Sequence, residues 1–268
     1  MNRLDVLGAL REAGRKALVP FITAGDPSLE ATVPVMHALV AAGADAIELG
    51  VPFSDPMADG PVIQRSSERA LARGAGLAYV LDAVRQFRTR DATTPVVLMG
   101  YLNPVEIRGH GRFAADAAVA GVDGVLLVDL PQEEAGALRE AFAQHQLALI
   151  LLGSPTTSDD RLAALCRQSQ GYLYYVSFAG VTGADKLDAV TVGARLRTLR
   201  GQRPAPVLVG FGIKDAASAV AMAAQADGVV VGSALVSALA DAPDAATAAM
   251  RAGAFLSPLR AALDAAPQ

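Results

Sequence analysis

Residues 41–60 read Ala-Ala-Gly-Ala-Asp-Ala-Ile-Glu-Leu-Gly-Val-Pro-Phe-Ser-Asp-Pro-Met-Ala-Asp-Gly. A helix end, a glycine turn, a short apolar run and a loop of turn formers follow one another. An apolar run bounded by Gly on one side and Pro-Phe-Ser-Asp-Pro on the other is the pattern of a buried strand that opens into a loop. The front half recurs: Ala41-Ala42-Gly43-Ala44-Asp45-Ala46-Ile47 is echoed by Val119-Ala120-Gly121-Val122-Asp123-Gly124-Val125 and by Ala224-Gln225-Ala226-Asp227-Gly228-Val229. Each echo is a helix end, a turn and entry into the next strand. We read these turns as structural, at the amino-terminal end of a parallel sheet.

The same alternation extends over the chain. Short, continuous apolar runs at about Leu18–Ala24, Ala46–Gly50, Val96–Tyr101, Gly124–Asp129, Leu147–Leu152, Tyr172–Phe178, Val207–Phe211 and Gly228–Gly232 read as strands covered on both faces, because they lack the period-two pattern of a half-exposed strand. Ala-rich amphipathic segments lie between them. Ser28 is a candidate helix N-cap, Ser158 with Asp159 and Asp160 reads as a helix start with acids in its first turn, Lys214-Asp215 precedes a helix to about Ala226, and Val192, Leu196 and Leu199 mark another. Eight strand–helix alternations in 268 residues, with short connections and no linker, predict one closed (β/α)8 barrel, a TIM barrel, spanning 1–268 as a single domain. A doubly wound sheet is the alternative, and it usually has fewer strands. Met1–Ala13 reads as an extra N-terminal helix, Arg73–Arg90 as an extra helix before the third strand, and Ser257-Pro258 as a break in the last helix.

Composition narrows the function class. Hydrophobic residues make up 52% and charged residues 19%, which suits a globular chain with one large core. A net charge of −4 without a Lys/Arg cluster argues against nucleic acid as partner. No run of about 18 apolar residues is present, so no membrane span is expected, and residues 1–15 lack the pattern of a signal peptide. The lone Cys166 reads as a buried structural thiol, and the scattered His37, His110 and His145 give no metal spacing. A cytoplasmic protein without a metal is the expectation.

In a barrel, chemistry gathers at the carboxyl ends of the strands. Glu48 lies inside an apolar run, where an ionised carboxylate is costly to bury, and Asp59 lies at the far side of the following loop. Two such environments push two carboxyl pKa values apart, so that one acid and one base can work at one pH. The competing reading makes Glu48 a structural ion-pair partner and Asp59 a cap for the helix that Pro61 opens. Other strand ends offer Thr23, Tyr101 and Asn103, Asp129, and the loop Ala179-Gly180-Val181-Thr182-Gly183. Gly210-Phe211-Gly212 and Gly232-Ser233 follow strands 7 and 8, where barrels often hold a phosphate on backbone N–H groups. Phe21, Leu126, Leu152, Tyr174 and Phe211 could line an apolar pocket between acids and phosphate. Of the adjacent Tyr174 and Tyr175, one faces inward. The loops 51–60 and 178–186 are candidate lids.

Ile47–Pro61, together with Pro20–Pro27, Gly180–Gly183, Gly210–Ile213 and Val231–Ala234, resembles the motif set of the tryptophan synthase alpha chain family, in order and over nearly the whole length. The resemblance implies cleavage of indole-3-glycerol phosphate to indole and glyceraldehyde 3-phosphate, with Glu48 and Asp59 catalytic. It implies that Phe21, Leu126 and Tyr174 flank the indole, that Gly183, Gly212, Gly232 and Ser233 hold the phosphate, and that Thr182 closes onto Asp59. Tyr101 and Phe211 complete the substrate-binding set. It also implies no cofactor in this chain, and a beta-chain partner carrying pyridoxal phosphate in an αββα heterotetramer, with an interface that includes Asp55-Pro56 and the region near Asn103-Pro104. Phe178 departs from the family, some of whose members carry Arg there. The alternatives are another phosphate-binding barrel isomerase or lyase, and a non-catalytic allosteric partner of a beta chain.

Overall fold

The computed structural model describes residues 2–176, 205–210 and 212–266. Eight parallel strands close in chain order into a barrel: β1 (Ala17–Thr23), β2 (Ile47–Gly50), β3 (Val96–Gly100), β4 (Gly124–Leu127), β5 (Ala148–Gly153), β6 (Leu173–Val176), β7 (Val207–Gly210) and β8 (Gly228–Val231). Each coincides with one of the apolar runs. Among the described residues the helices are α1 (Asp5–Glu12), α2 (Thr32–Ala41), α3 (Pro61–Ala72), α4 (Leu77–Arg88), α5 (Leu102–Arg108), α6 (His110–Ala120), α7 (Gly136–Gln144), α8 (Asp159–Gln168), α9 (Ala216–Ala223), α10 (Ser233–Leu239) and α11 (Ala245–Ala265). α1 is the expected N-terminal helix, and α4 is the extra helix before β3. The helix expected at Val192–Leu199 lies outside the described residues.

The core has two layers, as the pleat requires. Side chains of one strand face, among them Leu18, Leu49, Leu98, Leu149 and Val229, pack outward against the helices. The other face fills the barrel with Val19, Phe21, Val97, Leu126, Ile150, Tyr172, Tyr174, Leu208 and Val230, and α1 adds Leu4 and Leu7 from the amino-terminal end. Cys166 is buried in the outer layer, as expected.

The repeated turns are clamps. The N–H of Asp45 donates to Leu18 O and the N–H of Leu18 donates back to the Asp45 carboxylate at 2.8 Å. Asp123 does the same with Val96 at 2.9 Å, and Asp227 with Val207 at 2.8 Å. Gln170 completes the set with its amide oxygen, accepting from Leu149 N–H at 2.9 Å and donating its own N–H to Leu149 O. Each clamp therefore joins an odd strand to the even strand after it. Sequence reading found three of the four, because Gln170 stands three residues before its strand and carries an amide instead of a carboxylate. Asp123 is 3% exposed and pairs with Arg88 at 2.8 Å and Arg3 at 2.9 Å.

Two local expectations change. α11 runs unbroken through Pro258. The ring removes one N–H, but Leu256, Leu259 and Leu263 stay buried, and Arg260 reaches Asp45 at 3.1 Å and Lys16 O at 2.9 Å. Ser257 Oγ donates to Gly253 O at 2.8 Å, so packing over the whole face outweighs the local breaker. Ser28 precedes a short 3-10 turn, Leu29–Ala31, before α2 begins, and makes no side-chain cap bond, whereas α8 starts after Ser158 with Asp159 and Asp160 in its first turn, as expected. Asp215 does make a cap bond: it accepts from Ser218 N–H at 2.8 Å in a capping box that opens α9.

Removing a clamp should cost in proportion to what is left unpaired. Asp123→Ala strands the buried Val96 N–H and takes from the mostly buried Arg88 its nearest carboxylate, leaving it the Gly121 and Thr94 carbonyls, so urea unfolding should show a loss of about 3 kcal/mol. Gln170→Ala strands one N–H near the surface, and its loss should be about 1 kcal/mol. Equal losses would mean the charged clamp carries no extra weight.

Candidate active site

Glu48 is set by the register of β2. It pairs with Phe21 on β1 and Val97 on β3, both of which face the barrel interior. Its side chain is 0% exposed. Among the described residues no cation reaches it, so the ion-pair reading fails. Its partner is Tyr172, just before β6, whose hydroxyl donates to Glu48 Oε1; Oε2 has no partner among the described residues. Burial in an apolar lining lifts the Glu48 pKa to about 7, and the Tyr172 hydrogen bond pulls the other way.

Asp59 sits on the loop after β2, immediately before Gly60, the N-cap of α3, and Pro61 at its first position. It does not cap that helix. Its carboxylate accepts from Tyr101 Oη at 3.1 Å, and the same hydroxyl accepts from Ala58 N–H at 3.0 Å. Burial raises the Asp59 pKa to about 6, again with the hydrogen bond opposing. The two acids are thus shifted in the same direction, about one unit apart, rather than driven to opposite sides. Tyr101 stacks on Phe53 at 5.0 Å between ring centres. Its hydroxyl is pushed up by burial and by Asp59.

Phe21, Leu126, Tyr172 and Tyr174 lie in one inner cluster around Glu48. Tyr174 faces inward with them, while Tyr175 belongs to the outer layer. Two glycines make this possible by close approach. A side chain at Gly50 would meet Phe21 Cζ at 2.6 Å, and one at Gly210 would overlap the Tyr174 hydroxyl. At the same rim, Gly232 lies beside the Phe21 ring and is followed by Ser233 at the start of α10, while Gly212 adopts φ +74° after β7. Gly210 and Val230 are register partners, so the carboxyl ends of β7 and β8 stand side by side. Thr182, Gly183, Phe178 and Phe211 lie outside the described residues, as does the loop 178–186. Among the described residues no group of three or more His, Cys, Asp or Glu is placed to hold a metal.

Sequence reasoning missed Tyr172 as the partner of Glu48. The signal was present as spacing: Tyr172 and Tyr174 are two apart on one strand run, so both face the side on which Tyr174 was placed.

This arrangement has known counterparts. The profile of the family described as Tryptophan synthase alpha chain matches residues 7–263. A tryptophan synthase alpha chain of Xanthomonas euvesicatoria pv. vesicatoria (strain 85-10) is 72% identical over 266 residues, covering 98% of this chain and 99% of that one. One of Xylella fastidiosa (strain M12) is 71% identical, covering 99% of each. The crystal structure of tryptophan synthase subunit alpha from Legionella pneumophila str. Paris superposes with a TM-score of 0.90 at 48% identity, covering 98% of this chain and 99% of that one.

The raised carboxyl has a stability signature. A pKa of about 7 in the fold against an ordinary 4.5 means that ionising Glu48 opposes folding. The penalty is absent at low pH, accumulates as pH rises from 4.5 through 7, and is complete above that. Relative to Glu48→Gln, the wild type should therefore lose on the order of 3 kcal/mol between pH 4.5 and pH 8. Parallel urea titrations of the two proteins across that range test this, and a stability difference that does not change with pH would refute the raised pKa.

Proposed function

The chain belongs to the tryptophan synthase alpha chain family, and from that membership we propose how its own residues divide the work. It is a lyase that cleaves indole-3-glycerol phosphate to indole and glyceraldehyde 3-phosphate. The observation that carries our assignment is Glu48: a carboxyl wholly buried among apolar and aromatic side chains, with a pKa of about 7, is half-protonated where the enzyme works.

In the proposed reaction, neutral Glu48 gives its proton to C3 of the indole ring, and ionised Asp59 takes the proton from N1. The ring becomes an indolenine, able to accept an electron pair. The Glu48 carboxylate then takes the proton of the side-chain hydroxyl next to C3. The carbonyl forms, the carbon–carbon bond breaks, and its electron pair enters the ring as N1 regains the proton from Asp59. Both carboxyls end as they began. Phe21, Leu126 and Tyr174 flank the indole, Tyr101 holds Asp59, and backbone N–H groups near Gly212, Gly232 and Ser233 hold the phosphate. Gly183, Thr182 and Phe211, outside the described residues, complete this set by family resemblance. We take the whole chain, 1–268, as one unit for this purpose.

We also assign a beta-chain partner in an αββα assembly, with pyridoxal phosphate on the partner and none here, in the cytoplasm. Two observations support the docking side. Met57 is 84% and Ile107 80% exposed, and both stand at the rim where the loop after β2 and helix α5 emerge. Asp55-Pro56 and Asn103-Pro104 lie beside them. No helix among the described residues is long and apolar enough to cross a membrane.

Indole release should fall by roughly 10³-fold in Glu48→Gln and roughly 10²-fold in Asp59→Asn, measured with a beta subunit present; near-normal rates would remove the residue from the chemistry. The profile of kcat/KM against pH should rise through about 6 as Asp59 ionises and fall beyond about 7 as Glu48 loses its proton. Tyr172→Phe removes a hydrogen bond that favours the Glu48 carboxylate, so the falling limb should move to higher pH. A limb that stays in place would separate Tyr172 from the acid.

A further inference from the structure

The loop that carries Asp59 has a second anchor, which the proton chemistry does not use. Between Asp55 and Asp59 the chain turns tightly: Met57 N–H donates to Asp55 O at 2.8 Å and Asp59 N–H to Pro56 O at 3.1 Å. The tip, Met57 and Ala58, is exposed. Gln64, in the first turn of α3, donates from the same Nε2 to Asp59 O at 2.9 Å and to Pro56 O at 3.3 Å. A primary amide carries two N–H hydrogens, so one nitrogen can serve two carbonyls. This amide straddles the tip and grips a residue on either side of it.

The grip comes from a fixed post. α3 is tied to β1 and the turn after it by the Thr23–Ser66 hydroxyl pair at 2.6 Å, and by Arg69, which reaches both Asp26 oxygens at 2.7 and 2.8 Å. Thr23, Asp26 and Ser66 are buried. The post is anchored in buried groups, whereas the tip is exposed and its Ala58 N–H rests on the Tyr101 hydroxyl. Because both bonds leave one planar NH2 group, a shift of the Pro56 carbonyl turns that plane and so alters the bond to the Asp59 carbonyl. The carboxylate of Asp59 then swings with its own backbone, against the Tyr101 hydroxyl that holds its other end.

We propose that Gln64 is a positioning residue that couples the exposed 55–58 tip to Asp59, so that a beta subunit seated on Pro56 and Met57 sets the aim of the carboxylate. The proposal rests on the roles given above to Asp59 and to the docking rim. A helix-surface glutamine with no such role would tolerate any polar or helix-forming replacement.

The test is indole release from indole-3-glycerol phosphate by Gln64→Met, which keeps the length and loses both donors, with and without beta subunit. KM should stay within about threefold of wild type, kcat should fall about tenfold, and the stimulation given by the beta subunit should drop by at least tenfold. Gln64→Lys, which restores donors to both carbonyls, should recover most of that stimulation. Wild-type stimulation in Gln64→Met, or equal losses in the Met and Lys variants, would overturn the coupling. Should Gln64→Met not fold, Gln64→Glu at pH 7.5, of the same shape but with acceptor oxygens only, decides by the same ratio. Wild type assayed alongside separates the cases: no indole from wild type with its partner defeats the assigned reaction, whereas a stimulated wild type with an equally stimulated variant defeats only the role of Gln64.

Discussion

Everything at the catalytic end depends on strand register, and the register is held at the other end. In a barrel, a slip of one residue exchanges the inner and outer faces of a strand. For β2 that exchange would turn Glu48 out among the helices and bring Leu49 in. The four clamps, at Asp45, Asp123, Gln170 and Asp227, each grip one residue of a neighbouring strand through both its N–H and its C=O. A two-point grip of this kind fits only one register. The side chains that make it are carboxylates and an amide because both the length and the acceptor are needed.

With the register fixed, the electrostatics of the site follow from what surrounds the two acids. Glu48 has a tyrosine hydroxyl and no cation, so desolvation dominates and the carboxyl stays near neutrality. Asp59, on the loop, is raised by burial too, to about 6. The separation is small because both are governed by the same cause. That suits a reaction in which one proton leaves nitrogen as another arrives on carbon, since neither carboxyl is far from the pH at which it must exchange. Holding Glu48 in this state lowers the stability of the fold, and the rigid amino-terminal end supplies what the carboxyl end gives up.

The fold was legible in the sequence because strands buried on both faces appear as continuous apolar runs, and eight such runs with short connections leave few architectures. Glu48 and Asp59 were legible because each breaks the pattern around it. What failed were judgements that depend on packing. Pro258 looks like a helix breaker, and locally it is one, but three buried leucines and Arg260 keep α11 whole. Ser28 has the chemistry of a cap and makes no cap bond. The role of Tyr172 depends on which side chain lies across the barrel from it, a fact created by closure and visible in the sequence only as an alternation with Tyr174. The roles expected of Thr182, Gly183 and Phe211 lie outside the described residues.

The clamps have a further consequence. They occur at β1–β2, β3–β4, β5–β6 and β7–β8, and among the described residues the seams between these pairs are joined by backbone ladders and outer helices without such a two-point grip. The barrel is therefore four staves rather than eight, each stave carrying its own internal lock. A fragment cut at the boundary of a stave keeps its lock and a reason to hold its shape; a fragment cut through one does not. On this view the unit of register in the molecule is a pair of strands, and the barrel is locked in quarters.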